Sequence, residues 1–219
     1  MSMLRKIYLS PFGLVVSGVL QLVGRIFRPF MVYGYWNTPT CSFRKFTRIS
    51  STTVLLDKKN INIGENCWIW HHTIIDGSNG VNIGEGVQIG AWVGIFSHSS
   101  HIAVRLHGQD YINVDKHNRI GYVRAPVNIG DYSFIGAGAC ILPGVTIGRG
   151  CLIAAGAVLS KSIPDFAIAS GNPAKIIGST LDMDKKFFSD PTVQSSYFDA
   201  EVIRTFNNQP DSIDQKGER

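Results

Sequence analysis

The stretch IGDYSFIGAGACILPGVTIGRGCLIAAGAVL, residues 129–159, decides the fold, because an aliphatic residue returns at every sixth position. These aliphatic positions, called rungs below, are Ile129, Ile135, Ile141, Ile147, Ile153 and Leu159. Four positions after each of the first five stands a smaller residue: Ser133, Ala139, Val145, Cys151 and Ala157. A period of six fits neither the 3.6-residue turn of a helix nor the alternation of a single strand. It predicts short strands joined by tight turns and stacked in coils, which is a β-solenoid.

The same ladder extends upstream, and it is interrupted at regular intervals. The upstream rungs are Ile49, Leu55, Ile63, Ile69, Ile75, Ile83, Ile89 and Ile95. Extra residues follow Leu55, Ile75 and Ile95, which is once in every three rungs. Three rungs per coil predict a triangular cross-section, and all three insertions then leave the prism at one edge.

The third insertion is by far the longest, because 34 positions separate Ile95 from Ile129 where six would suffice. We expect residues 96–123 to form a loop outside the prism, and loops of this length are usually functional or disordered. Four of the six histidines of the chain fall in it: His98, His101, His107 and His117. The loop is therefore the place where we expect the chemistry.

Glycine follows many of the rungs directly, at Gly64, Gly84, Gly90, Gly130, Gly136 and Gly148. Because glycine adopts backbone conformations that other residues avoid, we expect these positions to form the corners between faces.

The repeats resemble the hexapeptide-repeat acyltransferases over about residues 43–178, most clearly from Val127 to Gly178 with its closing GNPAK at 171–175. The resemblance implies an all-β fold, a left-handed parallel β-helix, and assembly as a homotrimer with active sites between subunits. Within that family, FSHSSHIA at residues 96–103, followed by a long loop, resembles sugar O-acetyltransferases. Those enzymes include ones that act on galactosides, on maltose and on bacterial surface polysaccharides.

The chain is expected to have three parts: an N-terminal apolar and basic helical segment (1–40), the β-helix (41–178) and a C-terminal extension (179–219). Before Asp57 there are seven basic residues and no acidic one. The apolar run at 12–24 has 13 residues, fewer than the roughly 20 that span a bilayer. We expect residues 1–36 either to cap the prism or pack on a neighbouring subunit, or to lie on a membrane surface.

Composition limits the classes of partner and compartment. The formal net charge is +5, but basic and aromatic residues do not interleave as in nucleic-acid-binding proteins, so we expect no nucleic-acid partner. The four cysteines show no CxxC spacing, and Cys67 and Cys151 occupy inward positions, which favours packed thiols in a reducing compartment. Without an evident cleavable signal peptide, we expect a cytoplasmic protein, with peripheral attachment to the inner face of the membrane as an open alternative. In the C-terminal extension we expect a short helix within residues 196–206 and a disordered end.

Transfer of an acyl group from a thioester to a sugar hydroxyl requires a base, because an alcohol is a weak nucleophile until its proton is accepted. Imidazole is the natural group at neutral pH. In the resembled enzymes a histidine at the start of the protruding loop has this role. Ser100-His101 matches their Ser-His pair better than the residues around His98, so we favour His101 as the general base over His98.

The resemblance also implies acceptor contacts one coil below the loop. His71 falls where sugar-specific relatives place a polar residue, often asparagine, and Trp70 or Trp92 could stack on a sugar ring or pack between subunits. We expect His71 and Trp70 to approach the groove that holds the loop histidines.

The implied acyl donor is acetyl-CoA, and no metal is expected. Its pantetheine arm would contact the backbone at four small residues: Gly136, Ala137, Ala154 and Ala155. Its phosphates would be held by Ser160, Lys161 and Lys175, since lysine suits phosphate as a mobile point charge.

The resemblance thus implies an acetyl-CoA-dependent O-acetyltransferase that modifies a sugar, in particular a precursor of O-antigen, capsule or exopolysaccharide. A nucleotide-sugar N-acetyltransferase or an antibiotic acetyltransferase on the same fold is an alternative. Less favoured are a γ-type carbonic anhydrase with His71, His98 and His101 as zinc ligands, and a non-catalytic scaffold.

Overall fold

The computed structural model describes residues 10–13, 15–16, 18–19 and 28–208. Residues 11–13, 15–16 and 18–19 are helical, in agreement with the expected N-terminal helix. The expectations for the remainder of residues 1–27, and for a disordered end at 209–219, concern residues outside this range.

Short parallel strands stack into a three-sided prism. Face 1 contains β1 (Met31–Asn37), β2 (Ser42–Ser50), β5 (Trp68–Ile69), β8 (Gln88–Ile89), β13 (Phe134–Ile135), β16 (Leu152–Ile153), β18 (Ala167–Gly171) and β19 (Ala174–Ser179). Face 2 contains β3 (Val54–Leu56), β6 (Ile74–Asp76), β9 (Gly94–Phe96), β14 (Cys140–Ile141) and β17 (Val158–Leu159). Face 3 contains β4 (Ile61–Ile63), β7 (Val81–Ile83), β12 (Val127–Ile129) and β15 (Thr146–Ile147).

The strand register confirms the six-residue ladder. On face 1, Ile49 pairs with Ile69, Ile69 with Ile89, and Ile135 with Ile89 and Ile153. The rungs of faces 2 and 3 stack in the same way, and nearly all of them are buried in one continuous core. Each coil therefore runs through faces 1, 2 and 3 in turn, with neighbouring coils about 4.8 Å apart.

The smaller inward residues are also buried, as expected for a narrow interior. Ser133, Ala139, Val145, Cys151 and Ala157 all lie in the core of the prism.

Cys67 occupies an equivalent inward position near the N-terminal end of the prism. Burial raises the pKa of its thiol to about 11, which is the behaviour of a packed residue rather than a reactive one.

The glycines that follow the rungs have a different role from the one expected. Gly136 does not have a positive φ; instead, a Cβ placed on it would lie 2.5 Å from the backbone nitrogen of Ala155 in the next coil. Gly130 meets the next coil in the same way, at Arg149. These glycines are required by the close stacking of coils. The left-handed backbone conformation falls two residues later, for example at Gly138 and Gly156.

The N-terminal end of the prism is covered by a β-hairpin, so residues 31–37 are a strand and not part of a helix. Strand β1 pairs antiparallel with β2. The buried Tyr35 hydroxyl donates a hydrogen bond to the Ile61 carbonyl (3.4 Å), and the amide of Asn37 donates to Asn62 (2.6 Å). The capping function expected of a helix is thus supplied here by β1, which places Tyr35 and Asn37 against the first coil.

A second antiparallel pair, β18 and β19, follows the last coil. Beyond it lie α2 (Thr180–Asp184), a 3₁₀ turn (Lys185–Phe187), α3 (Pro191–Ser196) and α4 (Ala200–Asn207). Helix α4 confirms the helix expected within residues 196–206. Ahead of α4, the Phe198 ring stacks on Tyr132 with ring centroids 4.8 Å apart, which fastens the extension to the prism. No helix among the residues that the structure describes is long and apolar enough to cross a membrane.

Candidate active site

The long loop leaves the prism at the edge between faces 2 and 3, called the 2–3 edge. The three insertions follow β3, β6 and β9, which are hydrogen-bonded neighbours on face 2, so the expected single edge is confirmed. The base of the loop is held by a small antiparallel pair, β10 (His98–Ser99) and β11 (Val123–Arg124). Between them lie α1 (Ala103–His107), a 3₁₀ turn (Gly108–Ile112), and a second 3₁₀ turn (Lys116–Asn118).

His98 forms a close pair with Asp76 at this edge. Asp76 ends β6, one coil below the start of the loop, and its carboxylate Oδ2 lies 2.5 Å from His98 Nδ1. The Asp76 side chain is 1% exposed and that of His98 is 35% exposed. Because an ionised carboxylate only accepts hydrogen bonds, Nδ1 carries the proton in this pair. The other ring nitrogen, Nε2, is then unprotonated in the neutral imidazole and can accept a proton.

Hydrogen bonds keep Asp76 ionised despite its burial. Burial alone raises the pKa of this carboxyl, but hydrogen bonds from Ser78 and His98 outweigh it, so the net pKa is lowered. The Ser78 backbone donates at 3.0 Å, its hydroxyl also donates, and the Ser97 backbone donates at 3.3 Å. Asp76 is thus a fixed negative charge that orients the imidazole and can stabilise it when protonated.

The plane of the His98 ring is fixed from the loop side. Tyr122, just before β11, stacks on it with centroids 5.7 Å apart and planes 4° from parallel. Arg124 in turn packs on Tyr122, with its guanidinium carbon 4.4 Å from the centre of the Tyr122 ring. The returning arm of the loop therefore holds the histidine that its outgoing arm supplies.

The other loop histidines have different surroundings. His101 lies on the exposed start of the loop, where Nδ1 is 2.8 Å from the Ser99 hydroxyl. His107 Nε2 accepts a hydrogen bond from the Ile120 backbone at 2.9 Å, which ties two parts of the loop together. His98 alone among these has a buried carboxylate partner, so the geometry favours His98 over His101, the reverse of the preference drawn from the sequence.

A second cluster lies on the opposite side of face 2, at the edge between faces 1 and 2, called the 1–2 edge. Trp70 and His71 follow β5 there, and their rings stack with centroids 5.5 Å apart. His71 Nδ1 lies 2.6 Å from the hydroxyl of Ser50, which is buried. A groove of about 400 Å³ runs along this side, lined by Trp68, Trp70, Gln88, Trp92 and Phe134 among others.

The structure does not bring Trp70 and His71 to the loop histidines within one chain. Strand β6 separates them, since His71 precedes Ile74 and Asp76 ends the strand. The two groups of expected site residues therefore lie on different edges of the same prism.

The residues expected to bind acetyl-CoA divide in the same way. Ala137 lines the 1–2 groove, and Gly136, Ala154 and Ala155 belong to the same edge in the last two coils. Lys175 lies on β19, opposite Ser170, beyond this edge. Ser160 and Lys161 instead follow β17 at the 2–3 edge, two coils or about 10 Å from His98.

Sequence reasoning missed Asp76 and gave too little weight to Trp92. Asp76 directly precedes the second insertion, so its place at the loop edge could have been found from the same ladder that located His98. Trp92 and His72 occupy a corner position that is glycine in many other rungs, and their φ angles are +58° and +59°. At this position of the repeat many rungs have glycine, because the backbone has a positive φ. A bulky residue there strains the backbone, which indicates that its side chain has a role of its own.

Among the residues placed by the structure, no group of three or more His, Cys, Asp or Glu side chains could hold a metal ion. His71 lies apart from His98 and His101, so a three-histidine zinc site is not assembled within one chain.

Comparison with known proteins agrees with the repeat. Residues 126–161 match the family model described as "Bacterial transferase hexapeptide (six repeats)". A Saccharomyces cerevisiae protein is 38% identical over 127 residues, which are 57% of this chain and 59% of that protein. The galactoside O-acetyltransferase of Escherichia coli is 35% identical over 141 residues, 63% of each chain.

Among solved structures, a maltose O-acetyltransferase from Clostridium difficile 630 is similar, with 30% identity and a TM-score of 0.48. The similarity covers 59% of this chain and 64% of that one. The chain spans about three fifths of the length of the first two relatives.

Proposed function

We propose, since the chain carries the hexapeptide repeat of bacterial transferases, that it moves an acetyl group from acetyl-CoA to a hydroxyl of a sugar. The observation that carries the proposal is the pair of His98 and the buried Asp76 at the start of the protruding loop. In this proposal His98 is the general base, and Asp76 is a positioning residue. The names of the relatives support an acetyl transfer, and the galactoside enzyme supports a sugar acceptor.

The geometry supports a direct transfer of the acetyl group from the thioester of acetyl-CoA to the acceptor hydroxyl. Nε2 of His98 accepts the proton of the acceptor hydroxyl while the oxygen attacks the thioester carbonyl carbon. The tetrahedral intermediate then collapses, the carbon–sulfur bond breaks, and the departing thiolate takes the proton back from the imidazolium. Asp76 holds Nδ1–H and stabilises the positive ring between the two steps. The products are the sugar acetate ester and free CoA.

The division of residues between two edges supports a site shared between chains. We propose a homotrimer of left-handed prisms in which the 2–3 edge of one chain faces the 1–2 edge of its neighbour. Ser160 and Lys161 would then extend from the His98 side, while Ala137, Ala155 and Lys175 would come from the other chain to hold acetyl-CoA. The small side chains at Ala137 and Ala155 fit a ligand that approaches the backbone closely.

The acceptor would lie against the aromatic residues of the 1–2 edge. Trp70 and Trp92 offer flat, exposed rings of the kind on which sugars stack, and His71 and His72 add polar edges. A precursor of a surface polysaccharide remains the acceptor class that we propose.

Release of free thiol from acetyl-CoA, measured against a panel of sugars and sugar nucleotides, tests the proposal. His98→Ala should lower the acceptor-dependent rate by about 10²- to 10⁴-fold, the usual contribution of a general base. His101→Ala is the matched control, because its ring lies three residues away on the exposed loop, and it should keep most of the rate. Loss of activity in His101→Ala with an active His98→Ala would reverse the assignment. Absence of turnover with every acceptor, despite binding of acetyl-CoA, would favour the scaffold instead.

A further inference from the structure

The outer side of the β1–β2 hairpin is an aromatic and basic surface at the N-terminal end of the prism. Its members, called the hairpin surface, are Tyr33, Trp36, Phe43, Lys45, Phe46 and Arg48. Trp36 and Phe43 are paired across the two strands and point away from the prism, since the neighbouring Tyr35 points into it. Tyr33 and Arg48 are paired in the same way, with the guanidinium carbon 5.4 Å from the ring.

This surface has no acidic residue of its own. Residues 28–56 contain four basic side chains, Arg28, Arg44, Lys45 and Arg48, and no Asp or Glu. The Phe46 backbone donates a hydrogen bond to the Glu65 carboxylate at 2.5 Å, so Glu65 borders the surface from the next coil. Positive charge and exposed aromatic rings therefore lie side by side over one end of the molecule, which differs from the expectation, drawn from the sequence, that basic and aromatic residues do not interleave.

We propose that the hairpin surface docks on a membrane that contains anionic phospholipid. Aromatic rings with one polar and one apolar side are favoured at the boundary between headgroups and acyl chains, and nearby Lys and Arg side chains are attracted to anionic lipids. The proposal does not depend on the acetyl transfer proposed above.

Two observations favour a lipid surface over other occupants. A second copy that met this surface with its own hairpin surface would set basic residues against basic residues, and such pairing is unfavourable. A nucleic acid would contact the basic side chains and the aromatic rings of this surface. It would not contact the aliphatic side chains at the same end of the sequence. Phe30 and Val32 are exposed beside the hairpin surface, and the described helical residues 11–13, 15–16 and 18–19 expose Phe12, Val15, Val16 and Val19. Acyl chains are the partners that such side chains fit.

Co-sedimentation of the full chain with vesicles tests the proposal. Vesicles of phosphatidylcholine mixed with phosphatidylglycerol should bind the protein, vesicles of phosphatidylcholine alone should bind it much less, and added salt should release it. The double variant K45Q/F46S should lower the partition coefficient by roughly tenfold, because it removes one charge and one ring.

The chain offers a matched control at its other end. Lys186 lies 5.0 Å from the Phe187 ring, as Lys45 lies 5.3 Å from the Phe46 ring. The two phenylalanines are also equally exposed, at 55% and 58%. K186Q/F187S should bind the mixed vesicles within about twofold of the unmodified chain. A second hairpin variant, W36S/F43S, removes apolar area and leaves the charges in place. Thermal unfolding of each variant checks that it keeps the fold.

Several results would overturn the proposal. One is that the unmodified chain binds neither kind of vesicle, or binds both kinds equally. Another is that K186Q/F187S loses as much binding as K45Q/F46S. A change of particle mass in the hairpin variants by light scattering, with vesicle binding intact, would assign the surface to a second copy of the chain.

Discussion

At the scale of single residues, Asp76 shows how a buried charge can serve both the site and the fold. Its carboxylate oxygens accept hydrogen bonds from Ser78, Ser97 and His98, so an amide in its place keeps one acceptor oxygen and sets an NH₂ donor against the remaining donors. Asp76→Asn should lower the rate of acetyl transfer by about 10²-fold, because the amide no longer fixes the tautomer of His98. Binding of acetyl-CoA, measured by calorimetry, should stay close to that of the unmodified chain.

The lowered pKa of Asp76 also makes the stability of the fold depend on pH. A group whose pKa is lower in the folded state stabilises the fold above its unfolded pKa, near 3.9, and this contribution is lost as the pH falls through the folded value. Urea unfolding should therefore show a stability difference between the unmodified chain and Asp76→Asn at pH 7 that shrinks below about pH 4. A difference that stays constant with pH would mean that Asp76 contributes through packing alone.

In the proposed site, Trp92 would bind the acceptor at the expense of the stability of the fold. Its φ of +58° costs a residue with a side chain about 1–2 kcal/mol, and its ring is 67% exposed, so little burial compensates. Trp92→Gly should raise the free energy of unfolding by about 1 kcal/mol and weaken binding of the acceptor. Chemical denaturation and KM for the sugar measure the two effects. A loss of stability would show that stacking on His72 outweighs the backbone cost.

At the scale of the elements, the sequence predicted the ladder well because every rung is buried by the same local pattern. The rungs from Ile129 to Leu159 recur every six residues, so the period alone predicts that each one stacks on the rung 18 residues away, three steps along the chain. The position of the loop followed from the same count. In contrast, the pairing of Asp76 with His98 and of β1 with β2 follows no repeat, so no period in the sequence predicts it. The sequence predicts a helix for the apolar segment with Tyr33, Tyr35 and Trp36. The segment is a strand because it packs on the open end of the prism, and that contact exists only in the folded structure.

The close stacking of coils predicts which glycines the fold cannot replace. Gly136→Ala should cost roughly 3 kcal/mol, because the new Cβ would meet the backbone of Ala155 at 2.5 Å and neither strand can move freely. Gly156→Ala is the matched control: its φ is +70°, but nothing lies within 4 Å of the new Cβ. It should cost only about 1 kcal/mol, from backbone strain. Equal costs in thermal or urea unfolding would contradict the stacking explanation.

At the scale of the whole molecule, the two separated edges predict that activity belongs to the assembly rather than to one chain. His98→Ala removes the base on the 2–3 edge, and Ala155→Trp should obstruct the 1–2 edge, so each variant alone should be inactive. Mixed assemblies refolded from equal amounts of both should recover about a quarter of the unmodified rate, since some sites then receive two intact edges. The thiol-release assay measures the recovery, and no recovery in assemblies confirmed to be mixed would place the whole site in one chain.

The two antiparallel pairs, β1 with β2 and β18 with β19, have a consequence for the size of the particle. Every coil presents to the next the same row of backbone donors and acceptors, so an uncovered coil is a template on which another molecule can add. On face 1, β1 and β19 run against the other strands, so a further parallel coil does not meet there the pairing pattern that the coils share inside the prism. On face 1, the reversed strands at the beginning and end of the prism thus oppose end-to-end growth of a structure whose repeat has no intrinsic limit.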